Sequence, residues 1–114
     1  FMKLSASELL NQIPGKRTER WPMGERFKQG FAHGSMSVEL YAPIEVDPQH
    51  PHDQDELYFI HSGSGVFTID GNSQRFQSGD CFFVAAGVPH RFEKFSPDFS
   101  TWVVFWGPPG GESP

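Results

Sequence analysis

The chain has 114 residues, enough for one domain that buries roughly two-thirds of its unfolded surface, and its single cysteine, Cys81, rules out an internal disulfide. A net charge of −5 argues against nucleic acid as a partner, because binding a phosphate backbone needs a basic face. No apolar run is long enough to span a bilayer and no leader with a basic start and an apolar middle is present, so a soluble cytoplasmic protein is expected. Phe1 precedes Met2, and the chain is read from Met2 onward. The charge is uneven: residues 1–34 hold six basic and three acidic side chains, whereas residues 35–114 hold three and eleven.

One helix is predicted near the start. In "LSASELLNQIPG", Ser5 is an N-cap with Glu8 three residues later, Leu4 and Leu9 have the spacing of a hydrophobic staple, and Pro14-Gly15 stops the element. Everything after it reads as strands. "MSVELYA" (36–42) alternates, with Met36, Val38 and Leu40 on one face. "ELYFIHS" (56–62) is apolar on both faces. "GVFTIDGNSQRF" is a hairpin turning at Asp70-Gly71-Asn72. "CFFVAA" (81–86), "HRFEKF" (90–95) and "FSTWVVFWG" (99–107) complete the set, and "PPGGESP" is a loose tail. Short, closely spaced strands predict an all-β sandwich or barrel. The expected layout is an N-terminal helix and arm over 2–35, a barrel over 36–107 and a tail over 108–114, all in one domain.

The chemistry concentrates in "HPHDQDE" (50–56). Side chains two apart on a strand share a face, so an extended backbone would point His50, His52 and Glu56 the same way. Imidazole and carboxylate are ligand types that Zn, Fe, Ni, Cu and Mn accept. A polar surface turn would use the same residue types, and spacing alone leaves both readings open. Asp53 and Asp55 have the opposite parity, which suits solvation or turn-making. His90 lies among phenylalanines on another strand, where a buried imidazole needs a polar partner, and a shared metal would serve. His33 and His61 are assigned to the surface, and Cys81 is read as a small hydrophobe.

"HPHDQDELYFIHSG" resembles the first cupin motif through His50, His52, Glu56 and Gly63, and "GDCFFVAAGVPHRFEK" resembles the second through Gly79, Gly87 and His90. The resemblance covers residues 36 to 106 and is to the small single-domain microbial cupins. It implies a double-stranded β-helix, or jelly-roll barrel, holding one divalent metal ion (Fe, Zn, Mn or Ni) on His50, His52, Glu56 and His90. Three positions depart from the motifs: Ile44 and Ala85 replace a glycine and a proline, and Lys94 replaces an asparagine. None is a ligand position.

A small-molecule pocket is expected beside the metal, lined by Tyr58 and Ile60, which share parity with Glu56, and by Phe92 and Lys94, which share parity with His90. The last strand would add Trp102, Val104 and Trp106 or else Thr101, Val103 and Phe105. No second inward carboxylate is evident. The expected function is a metal-dependent enzyme on a small organic molecule, foremost an Fe(II) dioxygenase, with a metal-dependent isomerase or lyase and a non-enzymatic ligand-binding module as alternatives. Leu57, Phe59 and one face of the last strand are surplus apolar surface, which predicts a homodimer unless Leu4, Leu9, Leu10 and Ile13 of the helix cover it.

Overall fold

The computed structural model describes residues 2–114. The elements are one helix, α1 (Ala6–Leu10), then strands β1 (Phe27–His33), β2 (Met36–Tyr41), β3 (Asp55–Ser62), β4 (Ser64–Ile69), β5 (Asn72–Gln77), β6 (Cys81–Val84), β7 (His90–Glu93) and β8 (Ser100–Trp106). They form a five-stranded sheet in the order β1-β2-β8-β3-β6 and a three-stranded sheet in the order β5-β4-β7. Every pairing is antiparallel. The all-β prediction and the short helix both hold.

Local chemistry explains the elements. The Ser5 hydroxyl accepts from the Glu8 N–H at 3.4 Å and caps α1. Leu4 lies over Gly30, where a side chain would come within 2.8 Å of it, so the glycine lets α1 settle on β1. Asp70 (φ +48°) and Gly71 (φ +82°) both take the left-handed conformation that a two-residue hairpin with right-twisted strands demands. At Gly63 (φ +87°) a Cβ would lie 2.6 Å from the Phe99 backbone, so no other residue fits where β3 hands over to β4.

Two segments differ from expectation. The expected N-terminal arm contains β1, which pairs along β2 and extends the larger sheet, with a register shift between Gln29 and Phe31. The tail is tied down rather than loose: the Gly110 N–H donates to the Asp53 carbonyl at 2.7 Å and the Glu112 N–H to the Asp55 carboxylate at 2.8 Å. Asp55 also accepts from the Ala86 N–H at 2.9 Å, so it knots three stretches of chain together.

The two sheets meet over a core that is mostly aromatic. Phe67 and Phe92 of the smaller sheet stack with ring centroids 4.2 Å apart, and Tyr58 of the larger sheet meets them edge-on at 5.3 and 5.1 Å. Phe76 and Phe99 close the far end. In β8 the inward set is Thr101, Val103 and Phe105, which decides between the two faces left open above. No helix among the described residues is long and apolar enough to cross a membrane.

Candidate metal centre

One end of the core is polar. There, ligand atoms of His52, Glu56 and His90 all lie within 4.8 Å of one another. Glu56 is carried inward on β3 and is 1% exposed; His90 opens β7 on the facing sheet and is also buried. His52 precedes β3 in irregular chain, where its carbonyl accepts from the Gly87 N–H at 2.7 Å. The His90 Nε2 is 2.7 Å from Glu56 Oε1, and the His52 Nε2 is 3.9 Å from Glu56 Oε2.

Acceptors outnumber protons in this cluster. His90 Nδ1 faces the Val88 carbonyl at 2.8 Å; a carbonyl only accepts, so Nδ1 carries hydrogen and Nε2 is left with a lone pair toward Glu56 in the neutral ring. The single Tyr58 hydroxyl hydrogen has three acceptors near it: His90 Nε2 at 2.9 Å, Glu56 Oε1 at 3.1 Å and Gln49 Oε1 at 3.2 Å. Glu56 Oε2 is buried with no hydrogen-bond partner. An orphaned carboxylate oxygen and two imidazole nitrogens, crowded without enough hydrogens, fit a divalent cation.

The protonation tendencies of the two histidines differ. Burial, partly offset by Glu56, lowers the His52 pKa and favours the neutral ring that a metal requires. Burial also pulls His90 down, but its hydrogen bonds to Glu56 and Val88 and the Glu56 charge more than offset that, and its pKa is raised. His90 therefore favours a proton shared with Glu56, at the position a bound cation would take.

The sequence-predicted residues divide. His52, Glu56 and His90 converge; His50 is exposed and stays outside the group, lining a surface recess with Gln49, Pro51 and the edge of His90. Residues 48–54 form no strand, so the two-residue periodicity that would have aligned His50 with His52 does not operate there. Tyr58 joins the cluster through its hydroxyl, while Ile60 and Phe92 are packed into the apolar core below it and do not line the cavity beside the centre. Lys94 is exposed: β7 ends at Glu93, Lys94 adopts φ +49°, and its side chain borders a separate recess with Arg75 and Asp80. As expected, His33 and His61 are exposed; Cys81, read as a small packed hydrophobe, is exposed instead, at the start of the edge strand β6.

The cavity that borders the centre has a volume of about 360 Å³ and is lined on that side by His52 and Gln49. Its walls are Trp21 and Phe27 from the N-terminal segment, Glu39 and Tyr41 from β2, and Val103 and Phe105 from β8, with Arg20 at the rim. Glu39 is the inward carboxylate missing from the sequence reading. In the register Glu39–Val103–Tyr58, two strand spacings, about 10 Å between backbones, separate it from Tyr58, and Glu39 lines the same cavity as His52. Among the described residues its carboxyl makes no hydrogen bond or ion pair. Burial, helped by the Glu56 charge, raises its pKa to about 7. The alternation in "MSVELYA" held the signal: α1 packs on the outer face of β1 and β2, which leaves Ser37, Glu39 and Tyr41 facing inward.

The family model of the cupin domain matches residues 37–105. This chain belongs to the cupin family. The cupin is 42% identical over 84 residues to an uncharacterized protein of Streptomyces coelicolor, across 72% of this chain and 80% of that one. It is 33% identical over 73 residues to the HTH-type transcriptional activator RhaS of Yersinia pestis, across 64% of this chain, and spans 27% of the activator's length. Among solved structures it is similar to the DMSP lyase DddQ of Ruegeria pomeroyi, with a TM-score of 0.62 and 28% identity, across 73% of this chain and 48% of that one.

Proposed function

We propose that this cupin is a metal-dependent enzyme that moves a proton on a small organic molecule, as a lyase or isomerase. The observation that carries the reading is Glu39, unpaired and inward, in the cavity that His52 of the His52, Glu56 and His90 group also lines. His52, Glu56 and His90 would hold the ion, which when bound supplies Lewis-acid charge to a substrate oxygen. The aromatic walls of Trp21, Phe27 and Phe105 take the apolar body of the substrate and exclude water. Ionised Glu39 accepts a proton as a C–H bond breaks, and the bonding pair stays on the substrate. That pair then either expels a leaving group or is re-protonated at the neighbouring atom by the same carboxyl. A carboxyl with a pKa of about 7 can give and take a proton at neutral pH. The name of the similar DMSP lyase is consistent with such chemistry.

A second reading, an Fe(II) oxygenase, is favoured by the donor set, since two histidines and one carboxylate with open positions are the ligands of many non-haem Fe(II) oxygenases. Incubation with a panel of small hydroxy and keto acids in D₂O separates the two. The lyase or isomerase reading expects metal-dependent deuterium exchange or elimination without air, with Zn(II) or Mn(II), lost in Glu39→Gln. Oxygen consumption with Fe(II) alone, indifferent to Glu39→Gln, would replace it by the oxygenase. Ligand binding with neither outcome would point to a binding module, a role consistent with the partial likeness to an activator.

We also propose that the protein is a homodimer. On the outer face of β8, β3 and β6, Phe59 and Phe83 are 44% and 55% exposed, and Phe83 meets Trp106 at 6.2 Å. Helix α1 packs on β1 and β2 and does not cover this face. Light scattering at micromolar concentration should give twice the chain mass, and Phe59→Lys/Phe83→Lys should halve it; a monomer mass for wild type would refute the dimer.

A further inference from the structure

The residue beside the motif histidine, rather than that histidine, faces the metal group. Gln49 Oε1 is 3.2 Å from the Tyr58 hydroxyl and 3.4 Å from His52 Nε2, both atoms of the acceptor-rich cluster. An amide can present either its oxygen or its nitrogen, and here its surroundings decide. Asp47 is 1% exposed, and its Oδ2 accepts from Gln49 Nε2 at 2.7 Å while its Oδ1 accepts from the Gln49 backbone N–H at 3.2 Å. A carboxylate cannot donate, so Asp47 claims the NH₂ end and turns the amide oxygen toward His52 and Tyr58. Asp47 is itself fixed by the Tyr41 hydroxyl and by the Phe92 N–H, which donates at 2.9 Å from the opposite sheet. The amide oxygen is thus positioned by a buried network that also ties β2 to β7. His50, one residue on, is exposed; it shares a surface recess with Gln49 and His90 but is not one of the grouped ligand residues.

We infer that Gln49, oriented by Asp47, supplies a fourth ligand to the metal centre in the place the motif assigns to His50. This rests on the reading of His52, Glu56 and His90 as metal ligands. The centre becomes two imidazole nitrogens, a carboxylate oxygen and a neutral amide oxygen. Exchanging an imidazole for an amide oxygen moves the preference away from Cu(II) and toward ions that accept mixed nitrogen and oxygen ligands, such as Zn(II), Mn(II) or Fe(II). Asp47 acts through Gln49 and is a positioning residue.

The experiment is Zn(II) titration calorimetry, with the visible spectrum of the Co(II)-substituted protein as a second readout, on wild type and on Gln49→Ala, His50→Ala, Asp47→Asn and His52→Ala. Melting of each metal-free variant checks the fold. Gln49→Ala is expected to weaken Zn(II) binding by about 10–100-fold and to alter the Co(II) spectrum, whereas His50→Ala leaves both within about 2-fold of wild type. Asp47→Asn, which can present an NH₂ to the amide and release its orientation, should weaken binding by about 10-fold. Should Asp47→Asn fail to fold, Gln49→Ala against His50→Ala decides alone. Loss in His50→Ala with wild-type binding in Gln49→Ala overturns the assignment, and so does indifference of both, while the loss in His52→Ala still stands for the centre. If His52→Ala binds as wild type does, or wild type binds no Zn(II), the centre itself falls and the Gln49 assignment with it.

Discussion

The two ends of the barrel are built from the same strands and behave as opposites. At the closed end Ile60, Phe67, Phe76, Phe92 and Phe99 fill the space between the sheets with stacked and edge-on rings. At the open end the same β3 and β7 present Glu56 and His90, and β2 presents Glu39, beside a cavity. The closed end satisfies itself by burial. The open end keeps an unpaired carboxylate oxygen, a surplus of acceptors and a protonatable carboxyl, features that cost stability unless something binds there. The contrast separates residues that hold the fold from residues held by it.

Mutations should break that contrast cleanly, and the largest effect belongs to the closed end. Phe92→Ala removes a ring packed against Phe67, Tyr58, Phe76 and Phe99 and should destabilise the protein by about 3–5 kcal/mol, read by urea unfolding. At the open end, His52→Ala should lower divalent-metal affinity by about 100-fold or more and change the stability of the metal-free protein by roughly 1 kcal/mol or less, because its half-exposed ring contributes little burial. A metal-free His52→Ala that unfolds like Phe92→Ala would erase the distinction between the ends.

Glu39 sharpens it through pH. Its pKa rises from 4.5 to about 7 in the fold, so between these values the unfolded chain has released a proton that the folded one retains. Its contribution is fully present below pH 4.5 and is lost as pH rises through 7. Glu39→Gln, which stays neutral, should therefore match metal-free wild type at low pH and exceed it by about 1–3 kcal/mol at pH 8, measured by thermal melts across that range. A constant difference at all pH values would mean the carboxyl is not shifted. The smallest effect is expected at His61, exposed on the outer face: His61→Ala should stay within about 0.5 kcal/mol of wild type and leave metal content unchanged.

The sequence by itself determined the all-β class, the cap of α1, the Asp70-Gly71 hairpin and the residues Glu56 and His90 as an inward pair, because capping, turn chemistry and strand alternation are local and each was present in full. It also marks His52, although strand parity does not place it, because His52 lies outside any strand. Only the tertiary structure decided the rest. Alternation fails wherever the chain leaves a strand, and residues 48–54, flanked and interrupted by Pro48 and Pro51, follow no period, so nothing local could tell Gln49 from His50. The same holds for Lys94, one residue past the end of β7, and for β1, whose strand character depends on its pairing with β2. Glu39 was equally hidden: its alternation was legible, but which face of β2 is inward was fixed only when α1 packed on the other side. Periodicity gives two faces; long-range packing chooses between them.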